Sequence, residues 1–148
     1  MKLINYKGKE ETVKLYSPFL SAFRITSKFG IRAGKEHRGF DIVPINVEDT
    51  LIHSVGWAVL ERIDYQRLGA GNYFVWKSLW YPKNEVIYKY FHLKQLPVIE
   101  NDYIANGKEC INGIMGNTGH SKGAHLHFEI WIDGKPINPE KVEWIVTK

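Results

Sequence analysis

Two histidines separated by one residue stand in Gly123-Ala124-His125-Leu126-His127-Phe128-Glu129-Ile130, a segment that alternates like a strand. With a period of two, His125 and His127 share one face while Leu126, Phe128 and Ile130 take the other. On a helix the two imidazoles would diverge by about 200°, so only an extended segment makes them one site. A second cluster, His37-Arg38-Gly39-Phe40-Asp41, lies far upstream and adds an imidazole and a carboxylate. His37 and Asp41 are four apart and share a face on a strand. Gly39 between them leaves that face open to close approach of backbone or ligand. Two histidines and one carboxylate are a ligand set of catalytic zinc, with the fourth position left to water. Such an ion lowers the pKa of its water and polarises the carbonyl under attack, so His37, Asp41 and His127 together point to a hydrolase.

His92 ends the apolar run Tyr88-Lys89-Tyr90-Phe91-His92-Leu93. Packing against aromatics alone would explain it. If it shares the cleft, it either takes a proton or, as imidazolium, meets a developing oxyanion. His125 fits the same two roles, and we read it as the base. Glu129 falls on the face of His127, where it either orients that imidazole or faces solvent. His53, behind Ile52 in a strand, reads as structural. His120 lies in the loop Asn117-Thr118-Gly119-His120-Ser121-Lys122-Gly123, where substrate contact is conceivable. Tyr73, Trp80 and Tyr90 are candidates for groove walls, although a core stripe accounts for each of them too. Asp64, Asp102 and Asp133 sit in turn or loop surroundings and carry no assigned chemistry.

These side chains need a sheet to hold them. Strand-like stretches at residues 24–29, 37–43, 51–55, 57–63, 73–79, 86–93 and 109–115 are separated by Gly and Pro turns. In 86–93, Val86, Tyr88, Tyr90 and His92 alternate with Ile87, Phe91 and Leu93. No stretch has long 3.6-residue periodicity, although residues 97–105 have room for a helical turn. The pattern predicts a mainly β fold built on an antiparallel sheet. At 148 residues the chain reads as a single domain, able to bury roughly two-thirds of its unfolded surface. Five Trp, eight Tyr and seven Phe favour sheet and a lined groove. Only the first dozen residues and Thr147-Lys148 read as frayed.

With one cysteine, Cys110, no internal disulfide is possible, which suits synthesis in a reducing compartment. The formal charge of +4 is scattered and carries no recognised nucleic-acid motif. It suits approach to an anionic wall polymer equally well. Residues 1–16 contain four lysines without an apolar core, so no secretory signal is read there, and no apolar run is long enough to span a bilayer.

The motifs taken together resemble the M23 peptidase family, the lysostaphin-type or LytM-type zinc endopeptidases of peptidoglycan. The resemblance begins at Ile25-Thr26-Ser27-Lys28-Phe29-Gly30-Ile31-Arg32 and continues with His-x-Gly-x-Asp at His37, Gly39 and Asp41. It then takes in Gly71-Asn72-Tyr73, Tyr90-Phe91-His92-Leu93, Met115-Gly116-Asn117-Thr118-Gly119, His-x-His at His125 and His127, and Asn138-Pro139. It covers about residues 22–139. The resemblance implies an antiparallel sheet with a groove over it. It also implies one zinc per chain on His37, Asp41 and His127, catalytic assistance from His92 and His125, and cleavage of peptide bonds in peptidoglycan stems or cross-bridges. Two positions depart from the family pattern: Glu48-Asp49-Thr50-Leu51 replaces the usual Gly-Thr-Pro-Val, and Ala124 replaces the Pro before His-x-His. Both bear on loop shape.

The expected partner is therefore bacterial peptidoglycan, with no nucleic acid, no membrane insertion and no obligate protein partner. The rival readings are a non-catalytic wall-binding or activator domain and a structural virion component. The expected place of action is the cell wall after synthesis in the cytoplasm. That fits a phage-encoded, endolysin-like lytic protein released through a holin or carried on a virion.

Overall fold

The computed structural model describes residues 1–119 and 123–146, and an eight-stranded sheet dominates it. In spatial order its strands are Ile104–Ala105, Ala58–Gln66, Gly71–Ser78, Val86–Leu93, Leu126–Ile132, Phe40–Pro44 and Phe23–Ser27, with every neighbour antiparallel. The eighth strand, Lys135–Ile137, pairs with the second half of Leu126–Ile132, beside the stretch that Phe40–Pro44 occupies. The mainly β, antiparallel architecture is the one the strand pattern predicts.

Alternation sorts each central strand into two faces. Phe40, Ile42, Leu126, Phe128, Ile130, Phe74, Trp76, Tyr88 and Tyr90 are essentially inaccessible on one of them. Short strand pairs close over the same core, Leu51–His53 with Cys110–Ile114, and Lys14–Tyr16 in parallel with Glu143–Ile145. They contribute Leu15, Ile52 and Ile111, and Val13 immediately precedes Lys14–Tyr16, all buried. Aromatic edges lock this layer, with Phe128 edge-on to both Tyr90 and Trp144 at centroid distances of 5.3 and 5.6 Å. The opposite face of the sheet stays open, and the polar partners of these strands line it.

Several expectations change. The first dozen residues do not fray: Lys2–Ile4 pairs with Glu10–Thr12, and the Glu11 carboxylate accepts hydrogen bonds from Asn5, Trp80 and Tyr81. Residues 97–105 hold no helical turn. The short 3-10 helix is Pro139–Lys141, capped by the Asn138 side chain accepting from the Glu140 N–H. Residues 37–43 are not one strand but two pieces, Lys35–His37 and Phe40–Pro44, broken at Arg38-Gly39. The break is necessary, because on a continuous strand residues four apart stand about 13 Å from each other, whereas His37 and Asp41 touch.

His92 also leaves its expected face. Asn72 pairs with Leu93 and Phe74 with Tyr90, so two residues remain on one strand opposite one on its neighbour. This is a β-bulge, and His92 takes it up with a left-handed φ of 64°. Alternation resets there. Leu93 turns into the core with no exposure, and His92 moves from the face of Tyr90 to the open one.

Candidate metal centre

A row of partners runs across four strands on the open face. Phe91 stands opposite His127, His127 opposite Asp41, and Asp41 opposite Ser27. Residues paired across a sheet project on the same side, so register alone brings the second ligand histidine to the carboxylate. His37 joins from the hairpin of Gly30–Arg32 and Lys35–His37. His37 Nε2 lies 3.1 Å from His127 Nδ1 and 3.4 Å from Asp41 Oδ1, and the last two atoms are 2.8 Å apart. Three atoms at the corners of a tetrahedron around zinc, each about 2.05 Å from the ion, would be about 3.3 Å apart. Among the described residues, His37, Asp41 and His127 are the grouping able to hold a metal ion.

The outer atoms of the two imidazoles decide what the inner atoms offer. His37 Nδ1 is 2.8 Å from the carbonyl oxygen of Lys28, which can only accept, so Nδ1 carries the hydrogen and Nε2 keeps its lone pair. His127 Nε2 is 2.7 Å from Glu129 Oε2, so the tautomer that donates there leaves a lone pair on Nδ1. The other oxygen of Glu129 accepts from Trp131 Nε1 at 2.7 Å. Glu129 is therefore buried with both oxygens engaged, and the solvent-facing alternative is excluded. Two inward lone pairs and a carboxylate oxygen form a donor set suited to zinc.

Gly39 shows why the motif needs a residue without a side chain. A Cβ there would overlap the carbonyl oxygen of Phe128 and lie 2.8 Å from Cγ of Glu129. The close approach is therefore to backbone and to the carboxylate that orients His127.

His92 and His125 stand side by side, ring centroids 4.9 Å apart, with His92 6.0 Å from His127. His125 Nδ1 is 2.7 Å from the Gly123 carbonyl, and its Nε2 is 3.5 Å from Asp41 Oδ1. His92 Nδ1 is 2.7 Å from the carbonyl oxygen of Thr118. The Thr118 hydroxyl donates to the Leu93 carbonyl at 2.6 Å and accepts from the Asn72 N–H at 3.0 Å, which clamps the bulge. Gly71 makes room for this clamp: its φ is 64°, and a Cβ there would overlap Thr118. Thr118 has no evident role as a single residue, but the Gly71-Asn72-Tyr73 and Gly116-Asn117-Thr118-Gly119 motifs mark both sides of the clamp. Residue type alone does not single out Trp131. Its position two residues after Glu129, on the same strand face, is the signal for it.

These contacts set the charges. Burial pushes the Asp41 carboxyl up, but the close polar contacts with His127 and His37 outweigh it and hold the group far below the carboxylate range. Burial lowers His127, and bonding to Asp41 and Glu129 overcomes this and raises its pKa to about 8 in the metal-free fold. His92 goes the other way. Burial, only partly offset by the Thr118 carbonyl and reinforced by its histidine neighbours, brings it down to about 4.

The cleft around these groups measures about 770 Å³, and Thr26, Ser27, Arg32, Val43, Gln66 and Phe91 are among its walls. Its aromatic wall is Phe91, stacked on His127 at 5.1 Å. The three aromatics singled out from sequence do not line it. Tyr90 is a core residue whose hydroxyl accepts from the Val55 N–H, Tyr73 packs beneath Phe91, and Trp80 lies on the far side beside Tyr81. Alternation put Tyr90 inside, and no residue type announces that. His53 is buried away from the cleft, with Nδ1 on the Lys108 carbonyl, in keeping with a structural role. His120 and Thr147-Lys148 fall outside the described residues.

The chain is similar to several known proteins. An uncharacterized metalloprotease of Buchnera aphidicola subsp. Baizongia pistaciae is 34% identical over 134 residues, covering 85% of this chain and 33% of that protein. The peptidoglycan DD-endopeptidase ShyC of Vibrio cholerae is 34% identical over 110 residues, covering 74% of this chain and 23% of that protein. The chain thus spans a third or less of the length of these relatives. A zinc-containing peptidase from Vibrio cholerae superposes with a TM-score of 0.72 at 22% identity, over 97% of this chain and 47% of that one. The profile of Peptidase family M23 matches residues 35–139, a stretch that contains all three candidate ligands and both flanking histidines, and the chain belongs to that family.

Proposed function

We propose that the chain is a zinc-dependent endopeptidase that hydrolyses peptide bonds in peptidoglycan stems or cross-bridges. The observation that carries this reading is the convergence of His37 Nε2, Asp41 Oδ1 and His127 Nδ1 at one point of an open cleft. A zinc ion held by these atoms would supply Lewis acidity, polarising a carbonyl and making water nucleophilic near neutral pH.

The remaining steps belong to the chain's own side chains. His125 is assigned as the proton acceptor, because a proton taken at Nε2 there is held 3.5 Å from the Asp41 carboxylate. The same Nε2 proton is then available to the departing amine. His92 is assigned a different task. Its Nδ1 hydrogen is committed to Thr118, and burial keeps the ring neutral, so Nε2 offers a lone pair that orients the attacking water. A neutral ring in that tautomer has no hydrogen to give an oxyanion, which argues against the oxyanion role for His92. Phe91, stacked on His127, shields the ligand from water on one side.

The ligand set also favours this reading over a purely wall-binding or virion-structural role, since neither needs three metal ligands with oriented outer atoms. The cell wall is the proposed place of action, and the relative named a peptidoglycan DD-endopeptidase supports peptidoglycan as the substrate. The test is to digest cross-linked peptidoglycans of several chemotypes with zinc-loaded protein and identify new amines by mass spectrometry. Defined cleavage that is lost in His125→Ala supports the assignment. Intact wall across the panel, with zinc stoichiometrically bound, overturns it.

A further inference from the structure

We propose that Arg32 selects the substrate, pairing with a free carboxylate that lies next to the scissile peptide bond. The proposal rests on the hydrolase reading above and names the substrate class more narrowly: direct stem-to-stem cross-links that keep an acid group beside the bond, in preference to neutral oligoglycine bridges.

The position of Arg32 is tied to the metal ligands twice. It closes the strand Gly30–Arg32, whose partner Lys35–His37 ends on a ligand, with Gly30 opposite His37 and Arg32 opposite Lys35. Its Nη1 also donates to the Ser27 hydroxyl. Ser27 in turn stands opposite Asp41, because a register shift between Ile25 and Ser27 absorbs Thr26 and advances the strand by one residue. Side chains of directly opposed residues share a face, with Cα atoms about 5 Å apart. The guanidinium is thus anchored one residue from the ligand carboxylate, on the same wall.

Its charge is unspent. Among the described residues lining the cleft, Arg32 is the permanently charged cation. The carboxylate there, Asp41, is engaged by His37, His125 and His127. No carboxylate among the described residues forms an ion pair with Arg32. A guanidinium has five N–H donors in a planar fork that matches a carboxylate through two parallel hydrogen bonds. One donor is given to Ser27, and the rest of the fork remains for a ligand. Outside the cluster of Asp41 and the histidines, the other described lining residues, such as Gln66, Val43 and Phe91, are neutral, so away from the metal site charge discrimination in the described part of the cleft falls to Arg32.

The experiment uses two cross-linked stem dimers that differ only in the group beside the scissile bond, carboxylate in one and carboxamide in the other. Zinc-loaded wild type, Arg32→Gln and Arg32→Lys are compared by kcat/KM on both and by calorimetric Kd. Arg32 is exposed, so the variants should fold, and thermal melts verify it. Wild type is expected to prefer the carboxylate dimer by about 10- to 100-fold, the scale of a charge-assisted pair. Arg32→Gln should bring that ratio close to one by losing the carboxylate dimer. Arg32→Lys should keep part of it, since it retains charge without the fork. Equal wild-type rates on both dimers, or an equal loss on both in Arg32→Gln, overturn the proposal. If neither dimer is cut, the hydrolase reading fails and binding decides. A carboxylate preference in Kd that disappears in Arg32→Gln supports carboxylate recognition, and equal Kd values overturn it.

Discussion

Glu129 accepts the Nε2 hydrogen of His127 at 2.7 Å and thereby fixes which nitrogen of that ring faces His37 and Asp41. Its second oxygen is held by Trp131, whose ring lies under the Lys89 ammonium at 4.3 Å. A carboxylate with both oxygens engaged cannot rotate away, so the orientation of the ligand is built into the sheet.

Glu129→Gln should weaken zinc binding by about 10- to 100-fold, because an amide presents one acceptor to two donors. Competition against a chromophoric chelator measures it. An unchanged affinity would show that Asp41 and His37 alone orient the ring.

Gly39→Ala should lower stability by about 2 kcal/mol or more and weaken zinc binding in the same variant, since the added methyl must displace Phe128 and Glu129. Gly56→Ala is the control. The nearest atom to a Cβ at Gly56 is the Tyr88 hydroxyl at 4.0 Å, so little should change. Denaturant melts and chelator competition on both variants separate the outcomes.

His92 combines strain with function, and two substitutions separate them. Asn tolerates the left-handed φ of 64°, whereas a β-branched residue does not. His92→Val should therefore be less stable than His92→Asn by about 1–2 kcal/mol. Both should lose activity to a similar extent, by roughly 10²-fold or more. Equal stability would mean that the bulge relaxes at no cost.

The pH dependence of zinc binding follows from His127. Its pKa in the metal-free fold, about 8, lies above the unfolded value near 6.5. The bound proton thus stabilises the metal-free fold fully below pH 6.5, and that contribution is lost as the pH rises through 8. Zinc must displace the same proton, so its apparent affinity should fall about tenfold for each unit below pH 8. Affinities measured at pH 6.5, 7.5 and 8.5 test this, and a flat profile would contradict it.

Sequence carried the parts of this site that repeat with period two. The faces of His125 and His127, the bounds of Val86–Leu93 and the apolar inner row all follow from alternation. What was not legible departs from it. The break at Arg38-Gly39 brings His37 back onto Asp41, and the bulge at His92 exchanges the faces of two neighbours, yet neither has a signature in hydrophobic pattern. Lys28 and Thr118 hold His37 and His92 through backbone carbonyls, which every residue possesses. Trp131 acts through Glu129, whose own role depends on which strand lies beside it. Tyr90 and Phe91 differ in side chain by one hydroxyl, and only register sends the first to the core and the second to the cleft.

The central claim is that one zinc ion on His37, Asp41 and His127 drives peptide hydrolysis. It is tested most directly by titrating metal-free protein with zinc while recording bound metal and released peptide amines together. Both signals should saturate at one equivalent per chain, and Asp41→Ala should abolish both. Full-rate cleavage by chelator-treated protein, or one bound zinc with no cleavage of any cross-linked substrate, would contradict the account.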